Sequence, residues 1–592
     1  MTAADAPLLG VAQSLSGQRW YQRPAAPYLA EALAQRLGLP DIVGRLLAAR
    51  GVDLEAAADF LEPSLRALMP DPDCLADMAA AAARLADAVQ AGEDVVIFGD
   101  YDVDGATSAA LLIRFLRAVG GRARHYIPDR LREGYGPNIP ALRQLAGEGA
   151  RLVVTVDCGI QAFDALAAAA DAGLDVIVVD HHKAATALPE AVAVVNPNRL
   201  DDGSGLGQLA AVGVAFMLAV ATNRLLRGRG HFGTARAEPE LLGLLDLVAL
   251  GTVCDVVPLT GLNRAFVRQG LKVLAARRNP GLKALADVAG MDEAPGTYHA
   301  GFLLGPRVNA GGRVGEADLG ARLLSLDDDK EVQRIAARLH ALNQERRDIE
   351  ASVLETALAR VGDPGDAPIV VTAARGWHAG VIGIVAARLK ERFARPVMVI
   401  ALDDTGIGKG SGRSIQGVDL GAAVIEAQRR GLLLAGGGHA MAAGLTVAED
   451  RVDDLRDCLT ELLAAPVARA RAQAGLAIDG VLTARGATPD LVEAIEQAGP
   501  FGVGNPSPRF AFARVHVVKA DIVGHDHVRA IMAHGDGGRL TGIFFRAADT
   551  GAGQALLAPG GRAFHVAGKL KRNDWGMTPR VDVTIDDVAN AI

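Results

Sequence analysis

Three carboxylates follow one apolar run at alternate positions of the chain. Residues 95–98 are Val-Val-Ile-Phe, and Asp100, Asp102 and Asp104 come directly after Gly99. Such a run is typical of a strand buried on both faces of a parallel sheet. Ligands of open α/β sheets bind just beyond the carboxyl ends of such strands, and neighbouring acids repel one another unless a cation lies among them. The segment therefore predicts a divalent-metal site, with a solvated acidic loop as the alternative.

Two further strands and one helix are predicted to end in side chains that bind metals. The strand 152–156 precedes an aspartate, the strand 176–179 precedes Asp-His-His, and the apolar helical stretch 241–250 leads to a further aspartate. We expect these side chains to meet the first three, because parallel strands end at the same edge of a sheet. The predicted set is Asp100, Asp102, Asp104, Asp157, His181, His182 and Asp255.

Carboxylates with one or two imidazoles suit Mg²⁺ or Mn²⁺, and a histidine ligand favours Mn²⁺. The acids suffice for two ions, and Asp157 is assigned the bridging role because it is the lone acid on its strand. Two ions about 4 Å apart polarise a phosphoryl oxygen and generate hydroxide from bound water. The set predicts hydrolysis of a phosphate ester. Taken singly, each acid would also fit a helix cap, and a His-His pair is more often structural.

Basic residues in glycine-rich segments supply the opposite charge. The segments 408–414 and 436–444 are interpreted as tight turns that expose backbone N–H groups, and arginine binds phosphate bidentately. The alternative is incidental bases in ordinary turns. The candidates are Lys409, Arg413 and His439 in these segments, and Arg307, Asn309 and Arg313 in a loop predicted at 305–313.

The pattern of elements predicts a multidomain α/β protein. Strands and helices alternate up to about residue 250, which is typical of a doubly wound parallel sheet. The charged stretch 328–361 has neither proline nor glycine and predicts one connecting helix. Short strands with glycine-rich turns after residue 475 predict an OB-like β-barrel. The expected divisions are a helical extension (1–73), the parallel-sheet domain (74–327), the connecting helix (328–362), a smaller α/β domain (363–465) and the barrel (466–592).

Composition excludes several classes of protein. A net charge of −8 over 592 residues argues against coating nucleic acid through bulk positive charge. There is neither an apolar run of about 18 residues nor a basic and apolar N-terminus, so no membrane association is expected. The four cysteines are scattered, which argues against a disulfide framework or a zinc site and favours the reducing cytoplasm.

The quoted segments resemble the motifs of the DHH phosphoesterase superfamily. These are Gly-Asp-Tyr-Asp-Val-Asp-Gly (99–105), Thr-Val-Asp-Cys-Gly (155–159), Asp-His-His (180–182) and Gly-Thr-Val-Cys-Asp-Val-Val-Pro (251–258). The segment 436–444 resembles the DHHA1 domain of that superfamily, and the segments 306–313, 377–385 and 500–506 narrow the resemblance to its single-strand-specific DNA exonucleases. The similarity runs from about residue 15 to the C-terminus. Val103 and Gly311, where alanine is more usual, are minor departures.

The resemblance implies a DHH domain, a connecting helix, a DHHA1 domain and an OB fold. It also implies degradation of single-stranded DNA from the 5′ end to mononucleotides in recombination and repair. By position, the metal ligands are expected to be Asp102, Asp104, Asp157, His181 and Asp255, with Asp100 and His182 beside them as ligands or phosphate contacts. The residues expected to face DNA are Arg307, Asn309, Arg375, His378, Arg413 and His439.

The expected substrate path runs between the two α/β domains, and the barrel is expected to hold the trailing strand. Its candidate contacts are Trp575, Lys569, Lys571 and Arg572. The resemblance also makes a helicase and a single-strand-binding protein candidate partners, and a monomer is expected. Three alternatives stay open from the sequence: a hydrolase of cyclic dinucleotides or very short oligonucleotides, an inactive replication scaffold, and an inorganic pyrophosphatase.

Overall fold

The computed structural model describes residues 6–130, 132–575 and 578–591. Its α-helices are α1 (Pro27–Leu37), α2 (Asp41–Ala49), α3 (Ala57–Leu61), α4 (Leu65–Leu68), α5 (Met78–Ala91), α6 (Val103–Ala118), α7 (Ile139–Gly147), α8 (Phe163–Asp171), α9 (Ala211–Gly228), α10 (Leu245–Cys254), α11 (Gly261–Ala275), α12 (Pro280–Val288), α13 (Gly305–Val314), α14 (Leu319–Ser325), α15 (Asp329–Val361), α16 (Ile382–Phe393), α17 (Leu420–Arg429), α18 (Val452–Gln473), α19 (Pro489–Gln497) and α20 (Gly551–Leu557).

The strands form one small and three larger sheets. They are β1 (Arg19–Gln22), β2 (Asp94–Gly99), β3 (Arg122–Tyr126), β4 (Leu152–Val156), β5 (Asp175–Val179), β6 (Ala193–Val195), β7 (Val370–Arg375), β8 (Val397–Leu402), β9 (Ile407–Arg413), β10 (Ala435–His439), β11 (Ala442–Ala448), β12 (Gly475–Ile478), β13 (Gly480–Leu482), β14 (Phe510–Val523), β15 (His527–Ala533), β16 (Arg539–Phe544), β17 (Ala563–Asn573) and β18 (Arg580–Asn590).

The described chain divides into two compact units. The first, the barrel unit, takes its residues from 1–71, 255–272 and 474–592; the second, the catalytic unit, takes them from 72–254 and 273–473. Apart from residues 255–272, the two domains predicted on either side of the connecting helix therefore lie in the same compact unit. The N-terminal segment shares the other unit with the C-terminal strands.

A five-stranded sheet of order β3-β2-β4-β5-β6 forms the first layer of the catalytic unit. All its neighbouring strands pair in parallel, which confirms the predicted sheet. In the register of the three middle strands, Gly99 lies beside Val156 and Val156 beside Val179. The residues that follow these three strands are therefore brought to one edge of the sheet.

Helix α9 packs against α5 and α6 inside the catalytic unit. Among the described residues it is the one helix long and apolar enough to cross a membrane by length and composition, and 72% of it is buried. A helix in the core of a folded protein can have the same composition as a membrane-spanning helix, because the surroundings of both are apolar.

The connecting helix α15 runs for 33 residues, as predicted, and leads into a second five-stranded sheet of order β10-β11-β9-β8-β7. The interpretation of 408–414 and 436–444 as tight turns is wrong, because both segments are largely strands. Glycine is needed there for packing. A Cβ at Gly410 would lie 2.5 Å from Leu445, and one at Gly412 would lie 2.7 Å from Leu420.

The loop predicted at 305–313 is also wrong. Residues His299–Leu304 form a π-helix that continues directly into α13. The glycines and proline that suggested a loop are accommodated within this helix, with Pro306 in its first turn, where no internal N–H partner is needed. Arg307, Asn309 and Arg313 therefore lie on a helix.

The barrel unit closes strands β14, β15, β16, β18 and β17 into a ring through the pairing of β14 with β17, which confirms the OB-like barrel. The N-terminal segment belongs to its core, since β1 pairs in parallel with β12. Trp20 is fully buried and its indole N–H donates to Asp587 at 2.7 Å. Buried Asp479 forms ion pairs with Arg23 at 3.0 Å and with Arg50 at 3.3 Å.

Replacing Trp20 should destabilise the barrel unit. Trp20→Phe removes a hydrogen bond to a buried carboxylate and should lower the free energy of unfolding by about 2–3 kcal/mol. Urea unfolding followed by circular dichroism measures the change. Trp575→Phe, at a side chain that is 84% exposed, is the control and should stay within about 0.5 kcal/mol of the wild type. Equal stability of the two variants would contradict the role given to Trp20.

Candidate metal centre and substrate cleft

Three aspartates lie in a row where β2, β4 and β5 end. The backbone N–H of Asp100 donates to Val156 O at 3.3 Å, and that of Asp157 donates to Val179 O at 3.1 Å. Asp180 continues the row beyond β5. The chain leaves β4 with Asp157 at φ 60°, in the left-handed region. A non-glycine residue there costs about 1–3 kcal/mol and is found disproportionately at functional sites.

The imidazoles of the Asp-His-His sequence face this row. His181 Nε2 lies 3.3 Å from Asp157 Oδ1 and 3.9 Å from Asp104 Oδ2. His182 Nδ1 lies 3.9 Å from Asp157 Oδ1 and 2.8 Å from Asp180 Oδ1. Asp180 therefore holds the second imidazole, while the first points at the carboxylates.

Within the catalytic unit, two groups of potential ligand atoms each fit within 4.8 Å: Asp157 with both histidines, and Asp157 with Asp100 and Asp102. Asp157 is common to both groups. This arrangement supports the bridging role expected for that carboxylate, because one of its oxygens can serve each group.

The start of α6 positions the other two acids. Asp102 caps the helix, accepting hydrogen bonds from the N–H groups of Asp104 at 2.8 Å and Gly105 at 3.1 Å. Asp104 accepts from the N–H groups of Ala211 at 2.7 Å and Val212 at 2.9 Å, at the start of α9. Carboxylates are favoured at both positions because a helix N-terminus carries unpaired N–H donors and a positive dipole end.

Burial and repulsion by a neighbouring carboxylate raise the pKa values of Asp100 and Asp104. Burial, followed by the charge of Asp102, raises the pKa of Asp104 to about 7 and that of Asp100 well above its usual value. Burial, followed by the charge of His182, lowers the pKa of His181 to about 4, so this imidazole is neutral and able to ligate a metal. Burial acts to lower the pKa of His182, but the Asp180 hydrogen bond and the charges of Asp180, Asp104 and Asp100 together raise it.

The donor set fits a hard divalent cation. Asp100 Oδ1 is buried and accepts no hydrogen bond from the described residues. Carboxylate oxygens with neutral imidazole are ligands for Mn²⁺ and Mg²⁺, and a cation would relieve the repulsion that raises the pKa values.

Asp255 directly follows Cys254, the last residue of α10. This helix packs closely on α6 because residue 251 is glycine. A Cβ at Gly251 would lie 2.4 Å from Thr107 Oγ1 and 3.1 Å from Asp104 Oδ1. The C-terminal part of α10, which precedes Asp255, is thus held against the helix that carries Asp104.

Three arginines form a cationic cluster near the carboxylates. Burial first, and the charges of Arg130 and other arginines next, lower the pKa of Arg313 to about 10. Burial and Arg130 also lower the pKa of Arg413. The Arg130 guanidinium lies over the Tyr101 ring at 5.0 Å. Arg130 was absent from the predicted set, although its position in a charged, glycine-rich loop after β3 was an available signal.

A cleft of about 750 Å³ separates the parallel-sheet domain from the smaller α/β domain. Its lining includes Asp180, His182 and Lys183 on one side and His439 on the other. Tyr135, which sequence reasoning also missed, lines the cleft and donates its hydroxyl to the backbone oxygen of Asp157 at 2.8 Å.

Several expected substrate contacts have partners within the protein. Arg375 pairs with Glu449 and donates to Asp403 O, and the Arg307 guanidinium donates to Leu303 O at 2.6 Å. His378 Nδ1 accepts a hydrogen bond from Gly380 N, and Arg313 donates one to Gly380 O. Lys409 donates to Thr446 Oγ1. Asn309 is half-buried on α13, and Trp575 is exposed between β17 and β18.

Three family models match the chain. The DHH family N-terminal domain matches residues 94–252, the DHHA1 domain matches residues 366–465, and the RecJ OB domain matches residues 478–587. The fold and the site thus define a DHH-type protein, with an acidic edge on its parallel sheet and a smaller α/β domain across the cleft.

Two relatives are similar to this chain over nearly their full length. The single-stranded-DNA-specific exonuclease RecJ of Dickeya dadantii is 39% identical over 563 residues, which cover 93% of this chain and 96% of the relative. RecJ of Escherichia coli is 37% identical over 566 residues, with the same coverage. This chain belongs to the RecJ family.

Solved structures agree with this membership. The crystal structure of RecJ from Thermus thermophilus in complex with Mn²⁺ has a TM-score of 0.80 at 30% identity, covering 96% of this chain and 79% of that one. Its Mg²⁺ complex has a TM-score of 0.75 at 28% identity, covering 96% and 78%.

Enlarging Gly251 should disturb the metal centre. Gly251→Ala forces α10 away from α6, which should cost about 1–3 kcal/mol of stability. It should also weaken Mn²⁺ binding by about 10–100-fold, the usual effect of displacing groups around metal ligands. Isothermal titration calorimetry measures the affinity. Gly243→Ala, whose Cβ would meet open space, should leave it unchanged. Wild-type affinity in Gly251→Ala would contradict the argument.

Proposed function

We propose that this protein is a single-stranded-DNA-specific exonuclease that acts from the 5′ end and releases 5′-mononucleotides in DNA recombination and repair. The observation that carries the proposal is the convergence of Asp100, Asp102, Asp157, His181 and His182 on one edge of the parallel sheet. That edge borders a cleft whose far side carries His439. The family relationship supports single-stranded DNA as the substrate, and the polarity is the one that the resemblance of the motifs implies.

The cofactor is Mn²⁺ or Mg²⁺, bound as two ions. The ligands are Asp102, Asp104, Asp157, His181 and Asp255, with Asp100 and His182 beside them. Bound there, the ions supply Lewis acidity toward the phosphate and lower the pKa of a water molecule. Asp180 orients His182 through the 2.8 Å hydrogen bond, and the lowered pKa of His181 keeps its ring neutral.

The substrate phosphates are bound by the basic groups opposite the acids. Arg130, Arg313 and Arg413 bring like charges together at half-buried positions, which costs free energy unless an anion is bound among them. A phosphate of the DNA end is such an anion. Lys409, His378, His439, Arg307, Asn309 and Arg375 complete the proposed substrate-binding set.

The barrel holds the strand beyond the active site. Trp575 offers an exposed ring on which a base can stack, and Lys569, Lys571 and Arg572 lie on β17, which ends two residues before Trp575. Arg572 is paired with Asp574 at 2.7 Å, so it contributes less free charge than the two lysines.

We also propose the domain boundaries expected from the sequence, with the extension at 1–73 completing the barrel instead of standing alone.

The protein works in the cytoplasm as a monomer, and a helicase that unwinds duplex and a single-strand-binding protein are its proposed partners. A helicase fits the specificity for single strands, because such an exonuclease needs unwound substrate.

Loss of the bridging carboxylate should abolish hydrolysis. Asp157→Asn should lower kcat by about a thousandfold or more, because metal ions contribute several kcal/mol to the transition state. The dissociation constant for single-stranded DNA should stay within about threefold. Asp164→Asn, at an exposed residue of α8, is the matched control and should retain full activity.

The assay uses oligonucleotides labelled at the 5′ or the 3′ end, with Mn²⁺ or Mg²⁺, beside a duplex and a dinucleotide. Immediate release of a labelled mononucleotide from the 5′-labelled single strand is expected, with the duplex resistant. Near-normal turnover by Asp157→Asn would remove the bridging assignment. Preference for the dinucleotide, or release from the 3′ label first, would refute the proposed substrate or polarity.

Removal of the exposed indole should weaken binding of longer strands. Stacking contributes about 1–3 kcal/mol per base, so Trp575→Ala should raise the dissociation constant about 5–150-fold in fluorescence anisotropy. Tyr28→Ala, at another exposed aromatic of the barrel unit, should change it less than twofold. An effect of equal size in both variants would count against a specific stacking site.

A further inference from the structure

Two asparagines at the end of β6 hold the backbone of the Asp-His-His sequence. Asn196 is fully buried, and its Nδ2 donates to His182 O at 2.9 Å. Asn198 Nδ2 donates to His181 O at 2.5 Å. The backbone carbonyl groups of both histidines thus accept hydrogen bonds from asparagine side chains at the end of the neighbouring strand.

Asn198 also reaches the loop that precedes α9. The same amide nitrogen donates to Gly207 O at 3.1 Å. Glycine is required at this contact, because a Cβ at position 207 would lie 2.6 Å from Asn198 Oδ1. Helix α9 begins four residues later, and its first two N–H groups bind Asp104. One amide group therefore links the peptide of His181 to the segment that fixes Asp104.

The asparagines are themselves held in place. The backbone N–H of Asn198 donates to Asn196 Oδ1 at 2.7 Å, which orients the Asn196 amide toward His182. The buried side chain of Arg199 donates to Val194 O at 2.5 Å and to Asp77 at 2.6 Å. The segment 196–199 is therefore anchored to β6 and to α5, which Asp77 directly precedes, without help from the metal centre.

We infer that Asn196 and Asn198 are positioning residues for the metal centre, acting through the backbone of His181 and His182. Fixing the peptide planes on both sides of His182 sets the directions in which the two imidazoles leave the chain. Binding sites need such control to about 0.5 Å and 10–20°. The inference rests on the metal centre of the proposed function and adds residues that no ligand motif includes.

Metal affinity in the absence of DNA tests the inference. Asn198→Asp keeps the size of the side chain but removes both donors and places a carboxylate against two carbonyl oxygens. Mn²⁺ binding to the full chain, measured by isothermal titration calorimetry, should weaken by about 10–100-fold. Saturating Mn²⁺ should restore most of kcat, and KM for single-stranded DNA should stay unchanged.

Asn279→Asp is the matched control. Asn279 is a buried asparagine of the same unit, and its Nδ2 donates to Leu324 O at 3.3 Å. This variant should bind Mn²⁺ as the wild type does. Asn198→Ala removes the donors without adding charge and replaces Asn198→Asp if that variant does not fold, as judged by circular dichroism.

Wild-type Mn²⁺ affinity in a folded Asn198 variant would overturn the inference and leave the proposed function intact. Equal weakening in Asn279→Asp would also overturn it, because the effect would then be general destabilisation. A wild-type chain that bound Mn²⁺ but did not degrade single-stranded DNA would refute the proposed function alone. Absence of Mn²⁺ binding by the wild type would refute both.

Discussion

The repulsion among buried carboxylates at the edge of one parallel sheet is the constraint on which the catalytic unit depends. The register of β2, β4 and β5 brings Asp100, Asp157 and Asp180 into one row, and α6 adds two more acids. Burial raises the pKa values of Asp100 and Asp104. A divalent cation removes this penalty, so the arrangement that is costly for the bare protein is favourable once a metal is bound.

Much of the surrounding structure holds these carboxylates close together, although their mutual repulsion would push them apart. Helix N-termini donate to Asp102 and Asp104, and the row of strand ends fixes the backbone. Gly105 lets α6 approach the backbone of Asp100, and Gly251 lets α10 approach α6. Tyr135 donates to the backbone oxygen of Asp157, and the asparagines after β6 donate to the backbone oxygens of His181 and His182. In the opposing cluster of arginines the same argument holds with the sign reversed, since a bound anion would relieve the repulsion among its charges.

The predictions from sequence were wrong in segments where glycine could serve either of two structural roles. In 408–414 and 436–444 the glycines suggested turns, yet they lie on strands, where Gly410 makes room for Leu445 and Gly412 for Leu420. In 305–313 they lie within a helix. Glycine signals a need for conformational freedom or for close approach, and only the neighbours of each residue distinguish the two. Arg130 and Tyr135 were missed for a related reason, because a loop residue acquires a role only through what it faces.

The sequence by itself determined the alternation of strands and helices, the connecting helix, the barrel and the acids and imidazoles placed at element ends. These features follow from local periodicity and from residue chemistry, which act over a few neighbours along the chain. Only the tertiary structure decided that the N-terminal segment completes the barrel core through Trp20, that α13 is a helix, and that asparagines of the next strand hold the histidine backbone. Those outcomes depend on contacts between residues far apart in the chain, which no local pattern specifies.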